Sequence, residues 1–262
     1  MKIQFHKYQG TGNDFVIVDD RNNTLELSLK DVAQICDRRF GIGADGLMLL
    51  RTKKGFDFEM VYYNSDGKES TMCGNGGRCI VAFAKKQGVI SESAKFWAID
   101  GEHFAKIKDT IVDLGMIDVN KIESLDTDFE LFTGSPHYVQ FKIENVNENA
   151  QFVRNARAIR YNDKYSQEGI NVNHVTKLND QAIAMRTYER GVEDETFSCG
   201  TGAVAAAIAT HKKFAANSKN YSIMICTPGG KLNVSFVYDK GRYTQIVLSG
   251  AATFVFEGII EI

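Results

Sequence analysis

The sequence predicts a mixed α/β (α+β) protein built from two pseudo-symmetric halves, and three observations predict it. First, "MCGNGGRCIVAFAKKQG" (72–88) and "SCGTGAVAAAIATHKKF" (198–214) share a Cys-Gly-x-Gly start followed by a small, apolar, helix-prone run. Second, the likeness continues on both flanks. Upstream, "VYYNSDGKEST" (61–71) and "RTYERGVEDETF" (186–197) are each a β-prone piece and then an acidic, Gly-containing loop. Downstream, "KFWAIDGEHFAKI" (95–107) and "IMICTPGGKLNVSF" (223–236) each read strand, Gly turn, strand, and "TIVDLGM" (110–116) parallels "QIVLSGA" (245–251). Third, the offset between matched positions stays near that separating Cys73 from Cys199.

Along the chain, β-branched and aromatic content predicts strands at 3–8, 14–20, 46–51, 58–64, 111–115, 138–143, 182–189 and 245–250. Weaker correspondences pair "GTGNDFVIVD" (10–19) with "GSPHYVQF" (134–141), and "GIGADGLMLL" (41–50) with "GINVNHVTKL" (169–178). A helix over 76–88 places Cys79, Val81, Ala82, Phe83 and Ala84 in an apolar body and stops at Gly88. A second helix over 202–217 is apolar almost all round at its start, which predicts burial within its half. Lys85–Lys86 and Lys212–Lys213 follow the two helix cores as solvated faces near the C-termini. "FVFEGIIEI" (254–262) reads as a strand that returns to the first half. The expected division is 1–117, joined by 252–262 and carrying Cys73, and 118–251, carrying Cys199. The divergent segment 142–168 receives no assignment.

With 262 residues, 44 % hydrophobic and 24 % charged, the chain suits one large or two ordinary domains. A net charge of -2 gives no global basic field for nucleic acid, and no apolar run approaches the roughly 20 residues of a membrane span. The N-terminal residues show no apolar signal core, so a cytoplasmic protein is expected. Five cysteines (36, 73, 79, 199, 226) without CxxC spacing argue against a disulfide framework and against zinc. Cys36 and Cys226 read as inert hydrophobes.

Each Cys-Gly-x-Gly sets a thiol beside the first turn of a helix, where unpaired N–H groups and the helix dipole favour negative charge. Such a position lowers a cysteine's pKa from about 8.5 toward neutrality. Glycine lets a carboxylate or phosphate reach the backbone. One such turn is as good a structural cap as a catalytic site; two in equivalent places shift the balance toward chemistry. If the halves face each other across a cleft, one thiolate can remove an α-proton while the other thiol protonates the opposite face. The carbanion's charge would spread onto a carboxylate held by the helix N–H groups. An amino-acid binding module that closes on its ligand remains the alternative from another class.

These stretches, with "GTGNDFVIVDD", "YNSDGKESTMCGNGGRC", "YERGVEDETFSCGTGA" and the closing "GAATFVFEGII", resemble the diaminopimelate epimerase family over nearly the whole chain. The resemblance implies strands wrapped around a central helix in each domain. It implies epimerisation of LL- to meso-diaminopimelate without pyridoxal phosphate, metal or nucleotide, in lysine and peptidoglycan-precursor supply. It implies a homodimer, with Phe256 at a dimerisation position that is usually Tyr. Cys73 and Cys199 match the acid–base pair. Gly74, Asn75, Gly200 and Thr201 match the groups that bind the reacting carboxylate. Asn13, Asn64, Asn171, Glu189 and Arg190 match substrate-binding positions, and His137 and Glu189 match positions that tune the cysteines. Read without the resemblance, Glu189–Arg190 is equally a surface ion pair, Asn13 and Asn64 are turn residues, and His137 is a buried histidine. Two departures stand out: Ser135 where the family usually has Asn, and Gly46 where some members carry Gln.

Overall fold

A computed structural model describes residues 1–142, 149–215 and 217–262. Ile143, the last residue of the expected strand 138–143, and position 216 of the expected helix 202–217 lie outside the described residues, as does part of the unassigned segment 142–168. The chain divides into two compact units, Met1–Leu114 with Gly250–Ile262, and Gly115–Ser249.

The first unit runs β1 (Lys2–Gly10), β2 (Asn13–Asp19), α1 (Leu29–Cys36), β3 (Gly46–Arg51), β4 (Phe58–Asn64), α2 (Gly74–Lys86), β5 (Ser93–Ala98), β6 (Gly101–Lys108) and β7 (Ile111–Gly115). The second runs β8 (Ile122–Leu125), β9 (Asp128–Phe132), β10 (Pro136–Phe141), α3 (Asn149–Arg160), β11 (Asn171–Asn179), β12 (Ala182–Glu189), β13 (Asp194–Thr196), α4 (Gly200–Phe214), β14 (Asn220–Thr227), β15 (Gly230–Asp239) and β16 (Arg242–Ala251). The last strand, β17 (Thr253–Glu261), pairs antiparallel with β1, Lys2 opposite Glu261.

The duplication is visible in the ladders. In the first unit β17–β1 and β1–β2 are antiparallel, β2–β3 parallel, β3–β4 antiparallel, β4–β5 parallel and β5–β6 antiparallel. In the second, β8–β9 and β9–β10 are antiparallel, β10–β11 parallel, β11–β12 antiparallel, β12–β14 parallel and β14–β15 antiparallel. A parallel pair needs a crossover, and helices supply it. The crossovers α1 and α3 stand at equivalent places, as do α2 and α4.

In each unit the second helix is central. Helix α2 packs on β1, β2, β3, β6 and β17, and α4 on β9, β10, β11, β12, β14 and β15. Both are therefore buried for most of their length, Gly74–Val81 on α2 and Gly202–His211 on α4 without a break. Each fully buried Val, Ile or Phe there contributes roughly 1.5–3 kcal/mol. Both helices begin two residues earlier than expected, because Gly74 and Gly200 already adopt helical backbone. Gly77 N–H donates to the Cys73 carbonyl (2.7 Å) and Ala203 N–H to that of Cys199 (2.9 Å). Gly88, in the left-handed region at φ 68°, follows the C-cap of α2 and ends it. Helix α1 has no counterpart among the expected elements; its start is a reciprocal Ser28–Asp31 capping box. Strands β8, β9, β11 and β13 also go beyond the expected set. No helix among the described residues is long and apolar enough to cross a membrane.

Candidate active site

Cys73 is the N-cap residue of α2 and Cys199 that of α4, each with extended backbone (φ −95°, ψ 129° and φ −124°, ψ 115°). Neither sulfur caps its own helix through a side-chain bond. Both sulfurs lie beside the positive end of a helix dipole. Around each sulfur the structure builds a different polar network.

In the first unit the network starts at Arg78, a full turn into α2 and completely buried. Its guanidinium donates to the Gly74 carbonyl (3.2 Å), Thr11 Oγ1 (3.2 Å) and Asn75 Oδ1 (3.0 Å). Desolvation pushes the Arg78 pKa down, while the neighbouring Cys79 and Cys73 favour its charge. A guanidinium only donates, so it fixes the Asn75 amide with its NH2 turned away. That NH2 donates to Asn13 Oδ1 (3.2 Å), and Asn13 Nδ2 donates to Asp45 Oδ2 (2.6 Å). The carboxylate only accepts, so the Asn13 amide is fixed too, with its oxygen toward Cys73 Sγ at 3.7 Å. In this bond the thiol donates. Arg38 steadies the carboxylates, reaching Asp45 (2.8 Å) and Asp14 (2.7 Å). Burial opposes ionisation of Asp14, yet Arg38 and Lys7 hold its carboxyl down to about 2.

In the second unit His137, at the start of β10 and completely buried, lies between Thr201 and Asn173. Its Nε2 is 2.9 Å from Thr201 Oγ1, and its Nδ1 is 3.1 Å from Asn173 Nδ2. Thr201 Oγ1 in turn lies 3.5 Å from Cys199 Sγ. Thr133 Oγ1 donates to the Thr201 carbonyl (2.8 Å) and fixes the helix start. Desolvation, with the charge of Arg190, pushes the His137 pKa down to about 3. The imidazole is therefore neutral at neutral pH.

The other expected residues take different positions. Asn171 is buried: its amide donates to Ser135 Oγ (2.8 Å) and the Pro136 carbonyl (2.9 Å) and accepts from Arg190 N–H (2.9 Å). Ser135, one of the two departures, is thus held by Asn171. Glu189 closes β12 and accepts from Thr196 Oγ1 (3.0 Å). Arg190 donates to the Glu168 carbonyl (3.0 Å), its chain lying over Gly169. Asn64 is exposed, the last residue of β4, and its carbonyl accepts from Gly67 N–H (2.9 Å) in the turn that follows. Gly46, the other departure, leaves no room for a side chain: an added Cβ would lie 2.6 Å from the Tyr63 carbonyl. A Cβ at Gly76 would crowd Met48 Sδ (3.2 Å) and one at Gly77 would crowd Leu114 (3.1 Å), so both glycines serve packing. Phe256 lies on β17, 44 % exposed and edge-on to Phe5. Sequence reasoning passed over Asp45, Arg78 and Asn173. A lone arginine three residues after Asn75 in an apolar helix, and an asparagine two after Asn171 on one strand face, were the available signals.

Among the described residues no group of three or more His, Cys, Asp or Glu side chains could hold a metal ion.

The fold recurs in solved structures. A PhzF-family phenazine biosynthesis protein from Bacillus anthracis superposes with a TM-score of 0.78 over 100 % of both chains, at 14 % identity. A hydroxyproline epimerase from Agrobacterium vitis superposes with 0.71 over 99 % of this chain and 92 % of its own, at 12 % identity. At these identities the likeness defines the fold: two units of strands around a helix, as in racemases and PhzF proteins. The sequence narrows it. The diaminopimelate epimerase family model matches residues 5–115 and 129–255. The diaminopimelate epimerase of Flavobacterium psychrophilum is 49 % identical over 263 residues, 98 % of this chain and 100 % of that protein. The chain belongs to the diaminopimelate epimerase family, and with it to the isomerases.

Proposed function

We propose that this protein interconverts LL- and meso-2,6-diaminopimelate by moving protons between Cys73, Cys199 and the α-carbon. The observation that carries the reading is the repetition of one arrangement. In a chain of this family, each unit places a cysteine at the N-cap of its central buried helix. The reading takes the two units as the two domains of a duplication that meet at the substrate. One thiolate takes the α-proton: the C–H bond breaks, an S–H bond forms, and the electron pair moves into the carboxylate. The other thiol then gives its proton to the opposite face of the carbon. The stereocentre inverts, the sulfurs exchange roles, and the reaction balances with no cofactor.

The carboxylate's developing charge falls to the first-turn groups at Gly74, Asn75, Gly200 and Thr201, which act as an oxyanion hole. Because the Asn75 side chain is 1 % exposed and engaged, its backbone N–H is the donor in this reading. Asn13, Asn64, Glu189 and Arg190 bind the remaining ammonium and distal carboxylate groups, for which Arg190 offers a bidentate fork. Asn171 acts through the Arg190 backbone it holds. His137 and Glu189 tune Cys199. The step supplies lysine and cell-wall precursors, in the cytoplasm. The exposed apolar row Phe254, Val255, Phe256 and Ile259 on β17 suits a second copy of the chain; Phe256→Asp is expected to shift a dimer toward monomer by sedimentation.

The test is incubation with LL-diaminopimelate in D2O. Meso product with deuterium at the inverted α-carbon supports the reading; neither meso product nor α-deuterium, with hydroxyproline turned over instead, would reassign the substrate.

A further inference from the structure

The two amide networks end on their sulfurs with opposite hydrogen-bond polarity, and the second unit's network contains a residue with no role so far. Asn173, on β11, is completely buried. Its Nδ2 donates to the Tyr138 carbonyl (3.1 Å), which can only accept, while its Oδ1 accepts from Thr187 Oγ1 (2.9 Å). These partners settle which end of the amide is nitrogen. The same Nδ2 faces His137 Nδ1, so that ring nitrogen must accept and the ring proton must sit on Nε2. Nε2–H then donates to Thr201 Oγ1, and the threonine hydrogen is left to point at Cys199 Sγ. Gly202 makes the arrangement possible: a Cβ there would lie 2.7 Å from Asn173 Oδ1 and 3.4 Å from Cys199 Sγ.

We propose that Asn173 is a positioning residue which, through the His137 tautomer and the Thr201 hydroxyl, presents a hydrogen to Cys199 Sγ and so poises Cys199 as the thiolate. The role rests on the proposed two-thiol reaction but is read without substrate. A hydrogen bond to the charged form lowers an acid's pKa. The charged group that acts on His137 is Arg190, which follows β12, and it is unchanged in the variants below.

The test has two readouts on the substrate-free protein. One is the His137 tautomer by 15N NMR; the other is the pH midpoint of iodoacetamide labelling at Cys199, mapped by peptide mass, with Cys73 as internal reference. The expected wild-type tautomer is Nε2–H. Asn173→Asp puts an acceptor opposite Nδ1, draws the proton there and reverses the relay. The Cys199 midpoint then rises by about one pH unit, roughly a tenfold loss of thiolate at neutral pH. Thr201→Val gives a rise of similar size and Thr201→Ser none, a pair that decides the matter even if Asn173→Asp does not fold. An Nδ1–H tautomer in the wild type, or a Cys199 midpoint unmoved in Thr201→Val or in a folded Asn173→Asp, overturns the proposal. Absence of epimerisation with these shifts intact would reject the activity and leave the relay standing.

Discussion

The starts of α2 and α4 share a backbone and differ in what stands behind it. Behind Cys73 is a buried cation, Arg78, whose bonds run through two amides to a carbonyl oxygen facing the sulfur. Behind Cys199 is a buried neutral ring, His137, whose bonds run to a hydroxyl facing the sulfur. One sulfur meets an acceptor and the other a donor. The proposed reaction, with one thiol protonated and the other ionised, needs that kind of inequality, and the shared Cys-Gly-x-Gly cannot supply it. The charge of Arg78 favours a Cys73 thiolate, opposing the Asn13 contact. Substrate that displaces Asn13 from the sulfur would therefore leave Cys73 ready to ionise in its turn.

The largest expected effect treats the two starts as equals. Cys73→Ala and Cys199→Ala should each lower turnover by about 10²–10⁴-fold while substrate affinity by calorimetry survives. A full rate in either variant would remove that cysteine from the reaction.

Next comes the asymmetry of the supports. Arg78→Met leaves Asn75 Oδ1, Thr11 Oγ1 and the Gly74 carbonyl without their buried donor, at an expected cost of about 2–4 kcal/mol in urea unfolding. The Cys73 labelling midpoint should rise with loss of the cation. An unchanged midpoint would show that the charge does not reach the sulfur.

The third contrast is acid sensitivity. His137 and His174 are buried with pKa values pushed by desolvation to about 3 and about 4, against an ordinary 6.5. Depressed values mean that the unfolded chain takes up protons first. Their stabilisation is complete above pH 6.5 and lost as pH falls toward the folded values. Between pH 7 and pH 5 each should cost about 2 kcal/mol in urea unfolding. Asp14, at about 2, adds its loss only below about pH 4. His137→Gln should remove its share of the slope; an equal slope in that variant would contradict the assignment.

The smallest contrast lies in two glycines. A Cβ at Gly202 meets the fixed Asn173 amide at 2.7 Å, whereas one at Gly76 meets the flexible Met48 Sδ at 3.2 Å. Gly202→Ala should cost about 1–3 kcal/mol and Gly76→Ala less. The reverse order in thermal melts would mean that Asn173 is not held as described.

The duplication was legible in the sequence because a repeated glycine-cysteine start and a repeated strand order survive as letters. The cysteines were legible because a thiol beside a helix start has a chemical meaning wherever it occurs. Asp45 and Asn173 were not, since they act through partners 32 and 36 residues away. Arg78 in isolation reads as a solvated helix residue; only the position of Thr11 and Asn75 makes it a buried hub. Helix α1 escaped because its eight residues are too short for a clear period, although Ser28–Asp31 marks its start. That Gly46, where some family members carry Gln, meets a packing requirement depends on where Tyr63 runs.

The central claim is that the two unlike thiols act on one carbon from opposite faces. Its most direct measurement is α-hydrogen exchange from LL- and meso-diaminopimelate in D2O, followed by NMR in the wild type and in both single alanine variants. The account predicts deuterium entering mainly with inversion in the wild type, and inversion slowed by about 10²–10⁴-fold in either variant. Meso product formed at the wild-type rate by a protein lacking Cys73 or Cys199 would contradict it.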